Sequence, residues 1–252
     1  MFHAAWPALL DDVDGVNEAR DRHLAASVVV LGLSEPERFA PGALSARLFG
    51  DALPLERRLE IAGAMAGVPV EPTALLVARL HAADASERAV AARALGAPAH
   101  ASACAPLRRA ARDLDARVRG AALQALAALG DERASASAVA ALADDEAAVR
   151  RAAVAALAAL SGGAARVALA RAATDPDVDV RCAALAALVV LGGLEARVAG
   201  KGALTDRAPE VRALAVQVLA RLGHHDDMAG LENDPDARVQ RAVKEARVRA
   251  LA

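Results

Sequence analysis

The sequence predicts an all-α fold, a right-handed α-solenoid of stacked helical hairpins. Three observations predict it: a 31-residue repeat in register over four copies, an apolar stripe of helical spacing in each copy, and a nearly aromatic-free composition. Hydrophobic residues are 56% of the 252-residue chain and aromatic residues 2%. A core without aromatics must be assembled from Ala, Leu and Val, and Ala and Leu are strong helix formers. Charged residues at 25% are ordinary for a folded chain and argue against extended disorder.

The repeat defines the elements in order. Asp113, Asp144, Asp175 and Asp206 are each 31 residues apart, as are Val118, Val149, Val180 and Val211. Arg119, Arg150, Arg181 and Arg212 follow the valines directly. Ala122, Ala153, Ala184 and Ala215 make a further column, with Leu126, Leu157, Leu188, Leu219 and Leu129, Leu160, Leu191, Leu222 behind it. Within one copy Val118, Ala122, Leu126 and Leu129 fall at i, i+4, i+8 and i+11, one face of an α-helix. The Asp of each copy is expected at the N-cap, and Asp175-Pro176 reads as a cap followed by Pro at the first helical position. Gly130, Gly192 and Gly223 follow the last Leu and end the helix. A shorter helix is expected over 134–143, 165–173 and 194–204. Each unit is therefore helix A, a glycine turn and helix B. A single hairpin leaves its apolar face open, and stacking copies closes the core.

The pattern D-x-D-x-x-V-R-x-x-A-x-x-A-L-x-x-L-G resembles HEAT repeats of the phycobilisome-lyase type, most clearly at 113–130, 144–161 and 175–192. Upstream, Arg57 and Arg88 keep the spacing while Glu87 takes the Val position. Downstream, the stretch 234–240 recurs three residues early, Gln240 replaces the Arg, and Arg247 stands where a core Leu belonged. The chain divides accordingly into an N-terminal helical cap (1–54), degenerate HEAT-like repeats (55–112), four regular repeats (113–233) and a C-terminal capping helix (234–252). The cap holds all the aromatics, Phe2, Trp6, Phe39 and Phe49, and carries a net charge of −4 against +2 for the remainder. These aromatics either cover the open end of the first repeat or dock a partner.

What the resemblance implies is an Asp–Arg ladder between adjacent units: Asp113, Asp144, Asp175 and Asp206 with Arg119, Arg150, Arg181 and Arg212. A planar guanidinium suits that bridging role, although a repeated Arg is also the material of an anion-binding ladder. Helix B columns vary where helix A columns do not. Ser135, Arg166, Arg197 and Met228 share one column; Val139, Ala170, Lys201 and Glu232 another; Ala140, Arg171, Gly202 and Asn233 a third. In related solenoids the second helix lines the concave binding face. Arg166, Arg171, Arg197 and Lys201 would form a basic patch there, either a dock for an acidic segment of another protein or an ordinary solvated face.

Catalytic constellations fail. Cys104 and Cys182 are 78 residues apart with no CxxC, which excludes a disulfide framework and a Cys-based zinc site. The run His224-His225-Asp226-Asp227 has metal-ligand atoms but reads as a turn with a helix-B cap, so no metal is expected. Around Lys201 both the first Gly and the Ser or Thr of a phosphate loop are missing. No catalytic residue and no cofactor is therefore expected. A net charge of −2 and the absence of aromatics beyond Phe49 disfavour nucleic acid. No apolar run is long enough for a bilayer, and the N-terminus makes a poor secretory leader, so a cytoplasmic chain is expected. Twenty-eight Arg against two Lys suggests a bacterial source. The expected function is a non-catalytic scaffold or adaptor that binds a partner protein on the concave helix-B face. Two alternatives stand beside it: a bilin lyase- or isomerase-like accessory protein, implied by the resemblance, and a nucleic-acid-binding HEAT-like protein.

Overall fold

A computed structural model describes residues 73–160 and 163–251, together with Phe49, Pro54, Leu55, Arg58, Leu59 and Ala62. Every regular element among the described residues is helical, and they fall into two compact units that divide between Leu129 and Gly130. The first contains α1 (Thr73–Arg79), α2 (Ala85–Ala94), α3 (Cys104–Ala110) and α4 (Ala116–Ala128), with a 3₁₀ segment, Pro98–Ala103, ahead of α3. The second contains α5 (Ser135–Ala141), α6 (Ala147–Leu160), α7 (Gly163–Ala172), α8 (Val178–Leu191), α9 (Leu194–Ala203), α10 (Pro209–Arg221) and α11 (Ala237–Leu251).

The second unit has two rows. Helices of type A, namely α6, α8, α10 and then α11, pack each against the next. Helices of type B, α5, α7 and α9, pack on the A helix that follows each of them. The first unit repeats this on a smaller scale, α2 against α4 and α3 against α4. The reason lies in the side chains. The columns Val118, Val149, Val180, Val211 and Leu126, Leu157, Leu188, Leu219 are buried throughout. A second column 31 residues apart, Leu123, Val154, Leu185 and Val216, is buried as well. Each A helix thus presents two apolar faces, and short alanines between them let the helices approach closely. Leu129, Leu160, Leu191 and Leu222, at the helix ends, are only half-buried.

Helix starts differ from the expected pattern in one consistent way. The N-cap is not the first Asp of D-x-D but the second: Asp115 caps α4 through the Arg117 amide, and Asp177 caps α8 through the Val180 amide. Pro176 lies in the turn, while Pro209 of α10 does occupy a first helical position. The first Asp is held two residues upstream, its carboxylate accepting the amide of residue i+2: Asp115 N to Asp113, Asp177 N to Asp175 and Ala208 N to Asp206. At the other end of α8, Gly192 adopts φ 64°, and its amide donates to Leu188 O at 2.9 Å. A residue with a Cβ would be strained in that left-handed conformation.

The last hairpin also departs from expectation. Met228, Glu232 and Asn233, assigned to a fourth helix B, lie in two 3₁₀ turns, His225–Met228 and Leu231–Asn233, joined through Gly230 at φ 94°. Asp, Asn and Gly are poor helix formers, and the repeat is three residues short, so one α-helical turn cannot be completed. Met228 still reaches the core formed by Val216, Leu219, Val239 and Val243. On α11 Val239, Ala242, Val243 and Ala246 face inward, while Arg238, Arg241, Lys244 and Arg247 face outward, Arg247 paired with Glu232. Phe2, Trp6 and Phe39, and most of the segment 1–54, lie outside the described residues. Phe49 is half-buried, with the Arg79 guanidinium 3.9 Å from the centre of its ring.

At Gly200 α9 lies close against α10. The Gly200 column holds Leu107, Ala138 and Leu169, but a Cβ at residue 200 would sit 3.2 Å from Leu219 and Val218 side-chain carbons. Gly200→Leu is expected to destabilise the fold by about 2 kcal/mol through overpacking. A thermal melt that is unchanged or raised would show that α9 can withdraw from α10.

Candidate functional site

One arginine per repeat organises the turns. Arg150 donates from Nε and Nη2 to both oxygens of Asp175 at 2.8 and 2.9 Å, and from Nη1 to the carbonyls of Asp144 and Asp145 at 2.9 and 3.0 Å. Arg181 does the same with Asp206 (2.8 and 2.9 Å) and with the Asp175 and Pro176 carbonyls (2.8 and 3.1 Å). Arg212 repeats it with Asp234, 22 residues on instead of 25, which absorbs the three-residue shortening. In the first unit Arg88 clamps Asp113 and the carbonyls of Ala82 and Ala83, and Arg119 holds the carbonyls of Asp113 and Leu114. At the end of the row Gln240 donates to the Asp234 carbonyl at 2.7 Å, retaining the carbonyl contact without a carboxylate to clamp. Each guanidinium thus stitches its own turn to the next. Little donor edge is left over for an outside anion, Arg181 being only 5% exposed.

The same contacts govern acid behaviour. Guanidinium bonds from Arg88 and Arg212 hold the Asp113 and Asp234 carboxyls below the ordinary range. Burial pushes Asp175 and Asp206 upward, and the bonds from Arg150, Arg181 and the turn amides more than offset it. Arg117, with the cap amides, pushes Asp115 down to about 2. A depressed carboxyl contributes stability above its unfolded value and loses it as pH falls through the folded one. His100 acts in a higher window. It is buried, its Nδ1 lies 2.7 Å from Thr73 Oγ1, its Nε2 has no partner among the described residues, and burial pushes its imidazole down. A His held neutral loses stability as pH drops below its unfolded value of about 6.5. Urea midpoints are therefore expected to fall in two steps, a shallow one beginning at about pH 6.5 and a steep one from about pH 4 to 2. A midpoint that holds level from pH 7 to 3 would contradict both assignments.

The predicted basic patch is largely neutralised within the chain. Arg166 Nε lies 3.5 Å from the Glu195 carboxylate. Arg197 Nε and Lys201 Nζ both donate to Asp227, at 3.3 and 2.8 Å. Lys201 and Arg197 in turn hold the Asp227 carboxyl below its ordinary range. Each partner lies on the next turn or helix along the stack, so these pairs tie B segments together. Of the four, Arg171 alone is exposed with no carboxylate partner among the described residues. The run His224–Asp227 supplies Asp227 to this network, and the described residues contain no group of three or more metal-ligating side chains. Burial pushes the Cys182 thiol up, away from nucleophilic duty.

Between the ends of α7 and α9 runs an open groove of about 640 Å³, within the second unit. Ala170, Val198 and Gly202 form its walls, and the turn residues Thr174, Asp206 and Arg207 its floor and mouth. The ladder pair Arg181–Asp206 therefore lies under the groove. Arg207 was not singled out by the helix B columns. It stands in the turn column Leu114, Asp145, Pro176, Arg207, whose variation is the same signal that singled out helix B.

Residues 73–158 match the family model for HEAT repeats. Over that stretch the chain carries HEAT repeats. No curated relative matches the sequence. Among solved structures, the X-ray structure of YibA from Escherichia coli superposes with a TM-score of 0.59 at 17% identity, covering 98% of each chain. A designed armadillo repeat protein in complex with the peptide (KR)4 gives a TM-score of 0.50 at 18% identity, covering 71% of this chain and 100% of that one. The complex of CpcE and CpcF of phycocyanin lyase from Nostoc sp. gives 0.49 at 19% identity, covering 84% of this chain and 95% of that one. The first two likenesses are of fold: helical-repeat solenoids share the hairpin stack found in each unit of this chain. No helix of the described residues is long and apolar enough to cross a membrane.

Proposed function

We propose that the chain is a non-catalytic scaffold that holds a segment of a partner protein along the helix-B face of its second unit. The observation that carries this reading is a column of exposed apolar residues. Val167 on α7 and Val198 on α9 are 46% and 61% exposed, and Ala136, 31 residues before Val167 on α5, is exposed as well, whereas the valines at the starts of the A helices are buried. Val139, one turn further along α5, is 42% exposed, and Ala140 beside it is exposed too. An apolar column carried across three B helices marks an interaction surface more than a solvated one does. The helices are already ordered by the ladder beneath them, so a partner meets a preorganised face and little conformational entropy is lost on binding. The peptide complex of the designed armadillo protein supports the reading by analogy of fold. The intrachain pairs of Arg166, Arg197 and Lys201 weaken the attraction those residues were expected to exert on an acidic partner, so apolar contact takes the larger share.

The test compares two pairs of substitutions by cross-linking in source cells. Val167→Glu with Val198→Glu alters the B face; Ala155→Glu with Ala186→Glu alters exposed positions on A helices. Cross-linked partners are expected to disappear with the first pair and persist with the second, helical circular dichroism being unchanged in both. Partners retained by the first pair would overturn the proposal.

A further inference from the structure

We infer that the groove between α7 and α9 takes an extended peptide segment in which a carboxylate stands beside small apolar side chains, the carboxylate seating on Arg207. This rests on the scaffold reading above and assigns the chemistry of its partner.

The charge balance at the groove floor sets the sign of the ligand. Both oxygens of Asp175 are bound by Arg150, and both oxygens of Asp206 by Arg181. One oxygen of each carboxylate also accepts a turn amide, from Asp177 and Ala208. Three of the roughly four acceptor positions of each carboxylate are thus taken, and each already has a guanidinium as counter-charge. Arg207 is left over. It is exposed, its Nη2 donates to the Pro176 carbonyl at a long 3.4 Å, and no carboxylate of the described residues pairs with it. Arg171, at the end of α7, is a second exposed cation without a described carboxylate partner. An anionic group entering the groove therefore meets a fork-shaped donor without a carboxylate, and a cationic one meets carboxylates already paired with arginine.

The walls decide the rest. Ala170, Val198 and Gly202 offer apolar surface with almost no side-chain bulk, and a Cβ at residue 202 would meet nothing within 4 Å. A main chain with small apolar side chains can lie close to such a wall. The volume of about 640 Å³ lies within the range of roughly 300–1,000 Å³ typical of ligand sites. Single-stranded nucleic acid, the other anionic polymer, is held by a long basic groove combined with aromatic stacking platforms, and residues beyond Phe49 include no aromatic and carry a net charge near zero.

The experiment measures fluorescence anisotropy of the full chain with labelled decapeptides, (Asp-Val)5 and (Lys-Val)5, and with a labelled dT10 oligonucleotide. The aspartate peptide is expected to bind at least about tenfold tighter than the lysine peptide, a difference of about 1.4 kcal/mol. Arg207→Glu should abolish that preference. Gly202→Trp, which fills the groove from an open position, should weaken the aspartate peptide at least about tenfold with helicity intact. Equal or tighter binding of the lysine peptide, tighter binding of the oligonucleotide, or insensitivity to either substitution would overturn the inference. If these fail while Val167→Glu with Val198→Glu still abolishes partner capture, the groove chemistry falls and the scaffold reading stands.

Discussion

Arg181→Ala is expected to lower stability by about 3 kcal/mol, a drop in melting temperature of about 10 °C. The substitution removes four hydrogen bonds at once. It also leaves Asp206, half-buried, without its counter-charge, together with the Asp175 and Pro176 carbonyls. Breaking one member of a buried pair is costly because the survivor stays desolvated. The end of the row suggests a graded control. Gln240 keeps the carbonyl contact that Arg makes elsewhere, so Arg181→Gln should lose less than Arg181→Ala. Adding Asp206→Asn to Arg181→Ala should recover part of the loss, since the orphaned charge is then gone. Equal melting temperatures for the wild type and Arg181→Ala would mean that the ladder decorates the turns without joining them. The effect should fall on stability and leave the groove preference for the aspartate peptide intact at temperatures where the variant is folded.

Leu188→Ala should cost about 3 kcal/mol, from lost transfer energy plus the cavity left behind. Leu188 is fully buried on α8, which packs on both α6 and α10, so a cavity there has no loop that can relax into it. Leu191, three residues on, lies half-buried beside the Gly192 turn, and Leu191→Ala should cost only about 1 kcal/mol. Urea denaturation of the two variants separates them. Similar losses would mean that position within the repeat, rather than burial, sets the cost. Because α8 packs on α6 and α10 within the second unit, the Leu188 cavity should also lower the cooperativity of unfolding by weakening α8 against its neighbours.

Much of the fold was legible in the residue columns. A spacing repeated four times averages out local noise, and the burial of Val118, Ala122 and Leu126 and of their counterparts follows from it. The second buried column, Leu123, Val154, Leu185 and Val216, is not distinguishable in the sequence. In an Ala-rich chain nearly every face of a helix looks apolar, so period alone does not separate one buried stripe from two. The cap lies two residues beyond its expected position because both Asp of D-x-D have the chemistry of a cap. Only the arginine clamp on the first decides which is which. The candidate site was less legible. Arg166, Arg197 and Lys201 look like free charges in the sequence, since Glu195 and Asp227 lie 26 to 30 residues away and join them only when hairpins stack. Arg207 looked like one member of a turn.

The periodic positions of Val, Ala, Leu, Asp and Arg by themselves determined that this chain forms helical hairpins that stack, because an amphipathic period and a cap are local properties that the chain carries with it. Which charges are spent and which remain open depended on the packed arrangement. A guanidinium is neutralised by whatever carboxylate the neighbouring turn brings within about 3 Å, and that distance does not exist until the turns are assembled.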